Sequence, residues 1–186
     1  MLRLLAKFYL WLGGWDMRVT IPPEPKYLVL TAPHTSNWDF PLGISVRASI
    51  GMDIRFLGKA ELFRAPFGWL FRALGGYPVV RKKNTRLVDA VVEIYDEHER
   101  FAVALAPEGT RSKVRELKTG FYHIARKANL PVYLVGFDYE NKIVHRSERM
   151  DLGEDIEQET ARIIDWYKNI KGKNPENGIS AWAGKV

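Results

Sequence analysis

Apolar positions along the chain fall into two kinds of block that alternate. Short unbroken apolar runs, YLVLTA over 27–32, FAVALAP from 101 and PVYLVGFDY over 131–139, have the length and continuity of buried strands. Residues 54–59 and the brief 78–80 predict two further strands, and 142–146 is placed to pair with the 131–139 run as a hairpin. Between these runs the apolar residues recur at helical spacing. Leu87, Val91, Ile94 and Tyr95 mark one helix, with Asn84 or Thr85 as its cap, and Ile156, Ile163, Trp166, Tyr167 and Ile170 mark another over about 154–169. Residues 40–50 predict a helix that holds Pro41 in an early turn, and a further helix runs to about Ala128. Strands alternating with helices predict an α/β fold: a single domain with a mostly parallel central sheet flanked by helices, over 21–170. The tail, 171–186, is rich in Gly and Asn and is expected to be loose.

The first 20 residues form an amphipathic helix ended by the proline-rich connector IPPEPK at 21–26. Leu2, Leu5, Phe8, Tyr9 and Leu12 fall on its apolar side. The stretch is too short to span a bilayer, has no small-x-small cleavage site, and is interrupted by Arg3 and Lys7. Two readings stay open: a short interfacial helix lying on a membrane, or a helix packed on its own domain.

A chain of 186 residues suffices for one continuous core, and 46% hydrophobic with 27% charged residues excludes a disordered chain. The absence of cysteine removes disulfides, thiolate metal sites and covalent thiol catalysis. Charge changes the picture more. The net charge is +6, yet residues 54–86 hold eight Lys or Arg against Glu61 alone, so the remainder of the chain is near neutral. Phe56, Phe63, Phe67, Trp69, Leu70 and Phe71 lie among these cations. Cations interleaved with aromatics suit an anionic lipid surface, a single-stranded nucleic acid, or simply a solvated face over a core.

Polar groups with chemical capacity leave predicted strand ends three times: HTSNWD (34–39) after YLVLTAP, Arg81 with Lys82 and Lys83 after PVV, and EGTRS (108–112) after FAVALAP. Ligands in open α/β sheets bind at the carboxyl ends of strands, so the three clusters are expected to share one crevice. His34 with a carboxylate partner is a candidate general base, and Asp39 is that partner provided His34 sits in the turn and Asp39 in the first helical turn. The alternative is structural: Ser36 to Asp39 has capping-box spacing, which would spend Asp39 on backbone amides. In EGTRS, Gly109 permits close backbone approach, Thr110 offers a donor and Arg111 a forked cation suited to phosphate. Its structural alternative is a surface loop with Glu108 and Arg111 paired. His98, His123 and His145 have no partner at metal-ligand spacing, so no metal is expected. Walker, G-x-G-x-x-G and G-x-S-x-G motifs do not occur.

Taken together these motifs resemble those of the glycerolipid acyltransferases, the family of the 1-acylglycerol-3-phosphate acyltransferases. HTSNWD is similar to the family's H-x4-D motif, GGYPVVR (75–81) to its Gly-to-Arg block, and PEGTRS (107–112) to its second diagnostic block, in the family's order over about 27–137. KAEL (59–62) looks like the basic strand end that precedes the Gly-to-Arg block. Two features depart: Pro33 precedes the histidine where Asn is common, and LPVYLVGFD lacks a second proline, with Leu134 or Val135 in its place.

The resemblance implies an O-acyltransferase in which His34 takes the acceptor's hydroxyl proton and Asp39 orients His34. Lys59, Arg81, Glu108, Gly109, Thr110 and Arg111 would bind substrate. The donor would be acyl-CoA or acyl carrier protein as co-substrate, with no further cofactor. The acceptor would be a lysophospholipid such as 1-acylglycerol-3-phosphate, met by a peripheral protein on the cytoplasmic side of an anionic membrane. A family-like acyl groove would lie near the basic aromatic segment, which favours lipid over nucleic acid. The rival readings are acylation of another lyso-lipid, for example one with an amino-acid headgroup, and a non-catalytic lipid-binding protein of the same fold.

Overall fold

The computed structural model describes residues 2–79 and 87–183. Helix α1 (Leu2–Leu12) leads into the short strand β1 (Asp16–Arg18), then β2 (Lys26–Thr31), α2 (Asp39–Ile50) and β3 (Arg55–Lys59). A 3-10 turn (Ala60–Phe63), α3 (Gly68–Ala73) and β4 (Gly76–Val79) follow. The second half runs α4 (Leu87–Glu97), β5 (Phe101–Leu105), α5 (Gly120–Lys127), β6 (Val132–Asp138), β7 (Ile143–Arg146) and α6 (Ile156–Tyr167), ending in two 3-10 turns. Among the described residues the strands form one seven-stranded sheet in the order β1-β7-β6-β2-β5-β3-β4. Every pairing is parallel except the β6–β7 hairpin.

Strand alternation builds the two layers. Leu28 and Leu30 of β2, with Val132 and Leu134 of β6, point into a core shared with α4, α5 and α6. Tyr27 and Val29, with Tyr133, Val135 and Phe137, point to the other face and meet Leu10 of α1 and Leu42 and Val46 of α2. Both faces are therefore covered, which is why the central strands read as unbroken apolar runs. Tyr167, buried at the end of α6, spends its hydroxyl on the Leu30 carbonyl at 2.6 Å and so ties that helix to the central strand. Asp155 caps α6, accepting the amides of Glu157 and Gln158.

The α/β architecture is as the sequence predicts, but three expectations change. The 1–20 unit is not helix throughout: α1 ends at Leu12, and β1 joins the sheet edge beside β7. Helix α1 packs on the domain through Ala6 and Leu10, and Arg3 Nε donates to the Ser49 carbonyl at 3.0 Å. Its other face leaves Leu2, Leu4, Leu5, Phe8, Trp11 and Leu12 exposed. The tail is not loose where it is described. Ile179 and Trp182 are buried in the core beside α6, and this burial fixes a segment whose composition suggested freedom. Finally, the basic stretch is partly consumed internally: Arg55 pairs with Asp53 at 3.0 Å, and Arg72 donates to the Phe63 carbonyl while lying over the Phe63 ring.

Candidate active site

One carboxylate gathers the turn between β2 and α2 from within. Asp39 is the first residue of α2 and is buried, and its Oδ2 accepts the backbone amides of Thr35 and Ser36, both at 2.9 Å. The same oxygen lies 3.1 Å from His34 Nδ1. Capping and dyad, which the sequence posed as alternatives, are thus one arrangement: the amides fix the carboxylate and the carboxylate fixes the imidazole. With Nδ1 engaged as a donor to Asp39, Nε2 carries the free lone pair.

The next strand contributes Glu108. β2 and β5 are neighbours, so the loops leaving their carboxyl ends lie side by side. Glu108 is 1% exposed and its Oε2 accepts the His34 amide at 2.5 Å. Its other oxygen, Oε1, is buried with no hydrogen-bond partner among the described residues. Burial pushes the carboxyl up to about 7, the His34 amide and imidazole hold it back, and the Asp39 charge adds to the rise. The resemblance implies a substrate role for Glu108; in the structure one of its oxygens supports the His34 backbone. Gly109 turns the chain with φ +68°, a conformation that suits glycine, and its amide closes a turn onto the Ala106 carbonyl at 3.1 Å. Thr110 and Arg111 follow on the exposed rim.

A cavity of about 380 Å³ opens at His34 and Asp39 and runs between α2 and the sheet. Its walls are apolar, among them Val29, Gly43, Val46, Ile54, Phe56 and Phe137. Arg111 stands in the wall with His34, and Arg47 also contributes. The lining residues of α2 run from Asp39 to Arg47, a rise of ~12 Å along the helix. Among the described residues the groove is therefore built mainly from α2 and the central strands, with 54–57 as the contribution of the basic aromatic segment. Lys59 ends β3 at the same edge of the sheet, exposed and outside the cavity wall. Arg81 lies outside the described residues, as do Asn84 and Thr85.

Two supports escaped the sequence reading. Tyr139, just past β6, donates its phenol to Asp39 Oδ1 at 2.8 Å. Burial first, then the Asp39 charge, pushes the Tyr139 phenol well above its ordinary range, so it stays a proton donor. Asn174 bonds Thr35 from behind, through its amide N–H to Thr35 Oγ1 (3.1 Å) and through Nδ2 to the Thr35 carbonyl (2.8 Å). Neither carries a local motif, and only the fold brings them to the turn.

A family model described as acyltransferase matches residues 19–138. The chain belongs to the acyltransferase family. The matched span holds the His34–Asp39 turn, the Glu108 loop and every described strand except β1 and β7. No curated protein matches the sequence significantly. Among solved structures the chain is similar to the 1-acyl-sn-glycerophosphate (LPA) acyltransferase PlsC from Thermotoga maritima. That likeness has a TM-score of 0.59 at 22% identity and covers 92% of this chain and 80% of the other, which shows a shared fold.

Proposed function

We propose that this acyltransferase moves a fatty-acyl group from acyl-CoA or acyl carrier protein to the hydroxyl of a lysophospholipid such as 1-acylglycerol-3-phosphate. The observation that carries the reading is the His34–Asp39 pair at the mouth of an apolar channel. A base alone serves many reactions; a base at the end of a long apolar cavity serves one whose substrate carries an alkyl chain.

His34 Nε2 takes the acceptor's hydroxyl proton as the oxygen attacks the thioester carbonyl, and Asp39 stabilises the imidazolium that forms. The C–O bond forms, the tetrahedral oxyanion collapses with cleavage of the C–S bond, and the imidazolium returns its proton to the departing thiolate. The step uses no group beyond the thioester itself. Arg111, with Arg81 and Lys59, supplies cations for the acceptor's phosphate, and Thr110 a hydroxyl donor. Glu108 holds the His34 amide in place.

The acceptor resides in a bilayer, so the protein must meet one. Among the described residues no helix is long and apolar enough to cross a membrane. The exposed face of α1, together with Phe67, Trp69 and Leu70 at α3, provides apolar contact, and nearby Arg64 and Lys59 meet anionic headgroups. On this reading the enzyme works as a peripheral protein on the cytoplasmic side of the membrane.

The test is ester formation from labelled acyl-CoA or acyl carrier protein, in the presence of anionic vesicles, with acceptors that carry or lack a phosphate. Ester formed on 1-acylglycerol-3-phosphate supports the reading. Ester formed only on a lyso-lipid without phosphate moves the acceptor assignment. No ester from either donor with any acceptor contradicts acyl transfer.

A further inference from the structure

We infer that the segment 171–178 is a strap that positions the His34–Asp39 turn, with Asn174 as its positioning residue. Among the described residues no hydrogen bond joins the strap to His34 or Asp39; it holds the residues that hold them. Thr35 is 2% exposed, and its side-chain oxygen and its carbonyl are both bonded to Asn174. The amide of the same Thr35 donates to Asp39 Oδ2. One residue therefore links the strap to the carboxylate that orients the imidazole.

A second link runs through β6. The Lys171 carbonyl accepts the Tyr139 amide at 2.9 Å, and Lys171 Nζ pairs with Glu140 at 2.7 Å. Tyr139 in turn donates to the other oxygen of Asp39. Lys173 Nζ lies 5.0 Å from the centre of the Trp38 ring, on the residue next to Asp39, and 5.9 Å from that of Tyr139. Both oxygens of Asp39 are thus reached from one short segment.

The closeness is built in. A Cβ on Gly172 would stand 2.6 Å from Thr35 Oγ1, so only glycine lets the strap lie against the turn. The strap is also anchored independently of the turn, since Ile170 on one side and Ile179 and Trp182 on the other are buried in the core shared with α6. A chain that only closed off the domain needs the anchors but not the paired bonds to Thr35. Holding a dyad to its productive geometry has direct value, because a misplacement of 1 Å can cost about 10²-fold in rate.

The strap's role in geometry stands on its own; its effect on turnover rests on the acyl-transfer reading. Asn174→Ala and Gly172→Ala are compared with native protein by proton NMR of the low-field imidazole N–H, assigned by its absence in His34→Ala, and by transfer from acyl-CoA to 1-acylglycerol-3-phosphate. The expected result is a lost or broadened resonance in both variants, kcat lower by roughly 10- to 100-fold, and KM for acyl-CoA within about twofold of native. The thermal midpoint falls, since each change disturbs the buried Thr35, but the anchors Ile179 and Trp182 are untouched and both variants keep a cooperative transition. If Asn174→Ala unfolds, Thr35→Val, which removes only the Oγ1 acceptor, carries the test with Gly172→Ala. A resonance and kcat unchanged in the folded variants overturn the inference, and so does a native protein with no such resonance. A resonance that depends on Asn174 in a protein that transfers no acyl group keeps the strap and rejects acyl transfer.

Discussion

Tyr139 lies 100 residues beyond Asp39 in the chain and donates its phenol to Asp39 Oδ1 at 2.8 Å. The bond joins the end of β6 to the start of α2 and leaves the second carboxylate oxygen, Oδ2, for His34 and the turn amides. Tyr139→Phe removes this donor and nothing else of size. It is expected to cost ~1.5–3 kcal/mol of stability, the range for a bond to a charged group, and to lower kcat more than it raises KM. Urea unfolding and steady-state transfer rates check both; equal stability with equal kcat would show the bond to be idle.

Glu108 sets a pH dependence of stability whose sign follows from its burial. With its carboxyl pushed up to about 7 from an ordinary 4.5, the folded protein keeps a proton that the unfolded chain has lost between those values. The folded state then binds more protons, so this group's contribution to stability falls as pH rises from about 4.5 to about 7 and is level above. Glu108→Gln keeps an acceptor for the His34 amide and cannot ionise. Relative to native its stability should rise across that window by up to ~3 kcal/mol and then stay constant. Thermal midpoints of both proteins from pH 4.5 to 8.5 measure this; a difference independent of pH contradicts it.

Gly43 offers a way to fill the channel without disturbing the dyad. A Cβ there would rest 3.5 Å from the Phe137 ring, an ordinary contact, so the helix accepts a side chain. Gly43→Leu should leave stability equal or raise it by about 0.5–1 kcal/mol through lost backbone freedom in the unfolded chain. Its side chain would occupy part of the 380 Å³ cavity. Transfer of long acyl chains should fall several-fold relative to short ones, measured as kcat/KM over a series of acyl-CoA lengths. An unchanged length profile would mean that the chain is bound elsewhere.

The exposed face of α1 predicts how the protein meets a bilayer. Leu4 and Trp11 are 72% and 73% exposed, and burying each in an interface stabilises the bound state by ~1.5–3 kcal/mol. Leu4→Glu with Trp11→Glu should weaken binding to anionic vesicles at least tenfold in a sedimentation assay, with the thermal midpoint unchanged. Undiminished vesicle binding would shift the contact to the α3 patch.

The sequence made the scaffold legible where physics is local. Unbroken apolar runs announced β2, β5 and β6, because a strand covered on both faces has no polar side to show. It could not show β1, where Asp16–Arg18 pair with Ile143–His145 of the distant β7 and alternate without any buried side chain. Nor did it show α3, where Trp69 and Leu70 stay exposed and no helical apolar stripe forms. The site divides in the same way. His34 and Asp39 are close enough in sequence for a turn to join them, so their pairing could be posed in advance. Glu108 was placed on the substrate because its loop resembles a substrate loop, while its burial against the His34 amide depends on the β2–β5 pairing. Tyr139 and Asn174 reach the turn across 100 and 139 positions, and a lone Tyr or Asn in sequence carries no sign of that.

The most direct test of the account is acyl transfer by His34→Ala and Asp39→Asn beside the native protein, with folding and vesicle binding followed in the same preparations. Both variants are expected to fold and bind vesicles, His34→Ala to lose transfer to the background of the uncatalysed reaction, and Asp39→Asn to fall by orders of magnitude. Full transfer by a folded His34→Ala would contradict it.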